Sequence, residues 1–146
     1  ERFIREETIN QKATSLAQET LDKISKMATV VILTNVPDFA HKCRKKNFTA
    51  LGMNYPVISN SGPKGVAIRY MTQKISRPCF FVDDSAFQIE SASKENSKLI
   101  SIHFSACNIV RNILPKSHFA TYSPQEWPEV LEIVKSELVA FQKNYF

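Results

Sequence analysis

Cys79-Phe80-Phe81-Val82-Asp83-Asp84 is the stretch whose reading decides the fold. Small and apolar residues run straight into two adjacent carboxylates. An apolar run this short, ended by acids, reads as a buried parallel strand. In an open α/β sheet, ligands bind beyond the carboxyl ends of the strands. Two carboxylates at such an edge repel each other and cost free energy if desolvated, and a bound divalent cation relieves both penalties. Mg2+, a hard cation that takes oxygen ligands, suits Asp83 and Asp84. The same pair also reads as a solvated Asp-Asp turn capping the next helix.

Working outward, the flanks alternate strand with helix. Residues 2–26 show Ala13, Leu16, Ala17, Leu21 and Ile24 at helical spacing, which predicts one opening helix. Val30-Val31-Ile32-Leu33 is a β-branched strand run leading to Thr34-Asn35. A helix then carries Phe39, Ala40 and Cys43 inward and the basic group Lys42, Arg44, Lys45 and Lys46 outward. Tyr55–Ile58 predicts a weaker strand, with Pro56 at a sheet edge or strand start. Asn60–Gly65 is a turn into a helix with Ala67, Tyr70, Met71 and Ile75 on one face.

On the far side of the acidic pair, a helix over about 85–95 carries Phe87, Ile89 and Ala92. Residues 99–104 alternate like a strand, and a short helix spans about 106–113. A final helix is predicted from Ser123 as N-cap, with Pro124 at its first position and Glu126 closing a capping box. Its stripe is Trp127, Val130, Leu131, Val134, Leu138 and Phe141. Alternating βαβ units predict an α/β fold with a mostly parallel sheet.

Composition bounds the function classes. A chain of 146 residues is long enough for one domain-sized core, and 43% hydrophobic with 23% charged residues is ordinary for a globular protein. No apolar run is long enough to span a membrane and no secretory signal opens the chain. The net charge of +5 is scattered apart from residues 42–46, and no nucleic-acid-binding motif accompanies it. Cys43, Cys79 and Cys107 form neither a CxxC pair nor a zinc spacing, which points to a reducing, cytoplasmic setting, with Cys79 a small core residue. His41, His103 and His118 show no metal-ligand spacing.

Thr34-Asn35, Lys64 and Asp83-Asp84 all fall where strands meet helices. A hydroxyl with backbone N–H groups, a cation and a carboxylate pair are what phosphoryl transfer requires. Each also has a plainer reading: Thr34 as a helix cap, Lys64 as a solvated side chain.

In order and spacing, Leu33-Thr34-Asn35, Gly62-Pro63-Lys64-Gly65, Phe81-Val82-Asp83-Asp84 and Ile102-His103-Phe104 resemble the haloacid dehalogenase-like (HAD) superfamily of phosphohydrolases, nearest to a bacterial HAD-like group. The resemblance covers roughly residues 28–135. It implies a three-layer αβα core over residues 28–146, with residues 1–27 a cap tail or linker helix. It further implies that Thr34 and Asn35 bind a phosphoryl group, that Lys64 neutralises that group and serves catalysis, and that Asp83 and Asp84 hold Mg2+. The implied substrate is a small phosphorylated compound, hydrolysed through an aspartyl-phosphate.

The superfamily's Asp-x-Asp nucleophile motif, which lies ahead of the Thr motif, does not occur in this sequence. The chain begins with Glu1 rather than Met, so the expectation is that the strand carrying that motif is missing. This chain alone is then inactive, and its unpaired strand edges favour association. The alternative is a non-catalytic HAD-like domain that binds a ligand or partner. An unrelated receiver-like or nucleotide-binding module is a third reading. It fits poorly, because the acidic pair follows Lys64 and only three glycines are present.

Overall fold

A computed structural model describes residues 1–145. It is an α/β structure whose strands, among the described residues, form two two-stranded parallel sheets. The chain divides into two compact units, Glu1–Gly62 and Pro63–Phe146.

In the first unit, α1 (Arg2–Ile9) and α2 (Ala17–Ser25) precede β1 (Ile32–Asn35). A 3-10 turn at Asp38–Ala40 leads into α3 (His41–Ala50), and β2 (Val57–Asn60) follows. β1 and β2 are in parallel register, with Thr34 opposite Ser59 and Asn35 opposite Asn60. Pro56 directly precedes β2, and its carbonyl accepts from the Ile32 N–H at 2.8 Å. A residue without an N–H is tolerated at that start.

The single opening helix is therefore a misreading. Helix α1 ends at Ile9, with Asn10 as its C-cap, and Leu16 takes a left-handed φ of 66° before α2, leaving Ala13 and Leu16 exposed. The cause lies far along the chain. The buried Asn47 side chain on α3 donates from Nδ2 to the carbonyls of Ile9 (3.0 Å) and Gln11 (2.7 Å), satisfying the backbone where helix bonding stops. Asn47→Ala strands those carbonyls. It should cost about 1–3 kcal/mol, read as a lower urea midpoint; a loss under 0.5 kcal/mol would mean that water replaces the amide.

On α3, Lys42, Lys45 and Lys46 are exposed as expected, but Arg44 is not. It is half-buried, bonded to Gln11 Oε1, and its guanidinium lies 5.0 Å from the Phe48 ring centroid. Burial lowers its pKa from the ordinary value. Thr34 lies inside β1 and caps nothing; the residue preceding the 3-10 turn is Pro37.

In the second unit, α4 (Gly65–Thr72) leads to β3 (Phe80–Asp83), α5 (Ala86–Glu95) and β4 (Ile100–His103). A short α6 (Asn108–Ile113) and the long α7 (Trp127–Tyr145) complete it. β3 and β4 pair in parallel, with Asp83 opposite His103. Tyr122 adds a parallel bridge to Ile102. The core gathers Ile68, Phe81, Ile89, Ala92, Leu99, Ile102, Phe104, Val130, Leu131 and Val134. Trp127 meets Phe104 edge-on, with ring centroids 4.9 Å apart.

Several faces differ from the sequence reading. β3 is buried at Phe81, yet Val82 is 36% exposed, so the strand is not covered on both sides. Cys79 lies just outside the strand and is half-buried. α4 buries Gly65 and Ile68 and leaves Tyr70 exposed, as is Ile75 beyond its end. α5 buries Ile89 and Ala92 and exposes Phe87. α7 starts at Trp127, so Ser123 is not its cap. The reason is Pro128. In a helix begun at Pro124 it would lack the N–H for the Pro124 carbonyl and press its ring against it, whereas in the first turn of α7 it is tolerated. Arg111 Nη1 donates to the Gln125 carbonyl ahead of that turn at 2.6 Å.

Candidate functional site

The turn Asn60–Lys64 delivers Lys64 to the N-terminus of α4. Two side chains of α5 satisfy the first N–H groups there: Gln88 Oε1 accepts from the Lys64 N–H at 2.8 Å, and Ser91 Oγ from the Gly65 N–H at 3.0 Å. With its backbone fixed, Lys64 sends Nζ to Asp83 Oδ2 at 2.6 Å. The side chains are 13% and 7% exposed, so this is a buried ion pair and not a solvated lysine. The Nζ also lies 5.9 Å from the Phe81 ring centroid.

Asp83 is held from its other side. Its Oδ1 accepts the Ser85 N–H at 2.9 Å, a local turn. Ser85, not an aspartate, is the N-cap of α5, its hydroxyl accepting from the Gln88 N–H at 3.4 Å. Gln88 thus ties the cap of one helix to that of the other.

Asp84, the next residue, is exposed. Its carbonyl is bonded to His103 Nε2 at 3.0 Å, while His103 Nδ1 accepts the Ser117 N–H at 3.1 Å. Together these place the ring proton on Nε2, a neutral imidazole with both nitrogens used. Beside them opens a cleft of about 280 Å³, bordered by Asp84, His103, Ser105, Asn108, Arg111 and Lys116. Arg111 braces it: Nη1 donates to the carbonyls of Ser105 (2.7 Å) and Gln125 (2.6 Å), and Nη2 to Asn108 Oδ1. Nothing in the sequence marks Arg111, which lies in no motif.

The first unit contains the other two sequence candidates. Thr34 is buried, 8% exposed, at the carboxyl half of β1. Asn35 at its end donates from Nδ2 to the Gly62 carbonyl (2.9 Å) and accepts from Asn60 Nδ2 (2.9 Å). Gly62 takes φ 77°, which suits glycine. His41 Nδ1 and Ser59 Oγ are 2.6 Å apart, a contact the dispersed histidines did not suggest. The structure thus joins Lys64 to Asp83 and sets Asp84 next to them; Thr34 and Asn35 belong to the first unit.

Other nucleophile candidates are quiet. Burial pushes the Cys79 thiol above its ordinary pKa, which lowers its thiolate fraction. The Tyr122 hydroxyl is raised by its 2.5 Å hydrogen bond to Glu137, with burial adding to it. No helix among the described residues is long and apolar enough to cross a membrane. No family model, curated protein or solved structure matches this chain.

Proposed function

We propose that this chain is the cation- and phosphoryl-binding part of a HAD-like, Mg2+-dependent phosphohydrolase acting on a small phosphate monoester. The observation that carries the reading is the buried Lys64–Asp83 pair with exposed Asp84 beside it, at the end of a parallel strand.

The donor set suits Mg2+. Among the described residues no three His, Cys, Asp or Glu side chains gather. Mg2+ does not need three; it is held by one or two carboxylates and keeps several waters. Asp84 offers an open carboxylate, and Asp83 has lone pairs left beyond its bonds to Lys64 and Ser85. When bound, the cation neutralises charge on a phosphoryl oxygen. Lys64, already oriented, offers a second positive charge without reorganising. By the resemblance, the Thr34 hydroxyl and the Asn35 N–H take phosphoryl oxygens.

This sequence contains no Asp-x-Asp, so the chain's own residues bind the phosphoryl group and do not attack it. That same absence favours the second reading, a HAD-like domain that binds without catalysing.

The test is calorimetric titration with Mg2+, with and without inorganic phosphate. Asp84→Asn should weaken Mg2+ binding at least tenfold while stability stays within about 0.5 kcal/mol, as expected of an exposed side chain. Asp83→Asn should abolish the binding. Unchanged Mg2+ affinity in both variants would overturn the proposal.

A further inference from the structure

We infer that the cleft beside Asp84 is a subsite for an anionic group, so that the ligand is a small phosphate ester carrying a second negative charge. The inference rests on the phosphoryl reading above for the ester, and on the cleft itself for the second charge.

The charge around the cleft is one-sided. Arg111 and Lys116 border it, against Asp84 alone. Among the described residues neither cation is in an ion pair. Arg111 is held by two carbonyls and one amide oxygen, which fix the guanidinium but leave its charge uncompensated. Those three bonds use three of its five N–H donors, so two stay available. A guanidinium already immobilised loses little further freedom on taking a carboxylate or phosphate, and its fork matches both. His103 adds no charge, since both ring nitrogens are occupied by neutral backbone partners. Ser105 and Asn108 supply polar walls.

Size sets the other limit. Clefts for drug-sized ligands run from roughly 300 to 1,000 Å³, and this one is about 280 Å³. It accommodates a short acid. The second charge is a carboxylate or a second phosphate.

The experiment compares glycerol 3-phosphate, 3-phosphoglycerate and propane-1,3-diol bisphosphate by calorimetry with Mg2+ present. In parallel, succinate is titrated without Mg2+ while the Arg111 Nε–H resonance is followed by NMR. At least one doubly charged ester should bind tenfold or more tightly than glycerol 3-phosphate, and the tighter of the two identifies the second group. Succinate should shift the Arg111 resonance. Lys116→Ala, at an exposed side chain, should weaken both effects at least threefold. Arg111→Gln should abolish the preference for the doubly charged ester, and the lysine variant decides the matter if α6 is disturbed.

Equal affinity for all three esters, with an unmoved Arg111 resonance, would overturn the subsite. Succinate binding while no ester binds would uphold the subsite and overturn the phosphoryl reading instead.

Discussion

Asp83→Ala will lower the unfolding free energy by about 3–5 kcal/mol, the cost of leaving a buried charge without its partner. The abandoned group is the Lys64 ammonium, whose side chain is 13% exposed and whose backbone is clamped by Gln88, so it cannot swing freely into water. The Ser85 N–H loses its acceptor in the same step. Burial also means that added salt screens the pair weakly, so the loss should persist at 1 M NaCl, where surface pairs fade. The double variant Lys64→Met/Asp83→Asn should regain most of the stability. It removes both charges and keeps an oxygen for the Ser85 N–H. A double-mutant cycle by urea denaturation measures this coupling. An Asp83→Ala loss below about 1 kcal/mol, the ceiling for exposed pairs, would show that the pair is solvated.

What made Asp83 legible as a strand-end carboxylate was locality. An apolar run ending in acid and a helix after it follow each other in sequence, and β3, Asp83 and α5 form as those signals imply, though Ser85 and not the acidic pair caps the helix. Lys64 was legible as a residue at a helix start, but its burial was not, because that depends on Gln88 and Ser91 on another helix. The misread opening helix has the same origin. The break between α1 and α2 is stabilised by Asn47, 36 and 38 residues from the carbonyls it holds. The delayed start of α7 is different, since Pro128 tolerates only the first turn of a helix and so moves the start to Trp127. The capping pattern at Ser123, Pro124 and Glu126 is outweighed by that second proline, four residues after the first. Arg111 was invisible as a site residue because its place is set by backbone oxygens and not by any pattern of side chains. The α/β class and parallel pairing came through because alternation of strand and helix survives such local shifts. The expected sheet, however, is present as two short pairs of strands.

Gly65→Ala should be as damaging as the loss of Asp83, at about 3 kcal/mol or more, the upper end for overpacking. A Cβ at Gly65 would lie 2.3 Å from the Ser91 carbonyl oxygen, 2.6 Å from Ser91 Oγ and 2.8 Å from Glu95 Cγ. Rotating a side chain cannot relieve the first contact, because it is made with the backbone of α5. The helices must separate, which loosens Ile68, Ile89 and Ala92 and breaks the Gly65 N–H bond to Ser91. This close approach also explains why α4 buries the face of Gly65 and Ile68 and leaves Tyr70 outside. Gly62→Ala is the control. Its Cβ would meet nothing within 4 Å, so only the left-handed φ of 77° is penalised, at about 1–2 kcal/mol. Urea midpoints at constant m separate the two. Equal losses would mean that α4 does not press on α5 as tightly as this geometry requires. Because Lys64 immediately precedes Gly65, pushing α4 outward also draws its Nζ away from Asp83. Gly65→Ala and Asp83→Ala combined should therefore cost less than their sum, since the first already weakens the ion pair that the second removes.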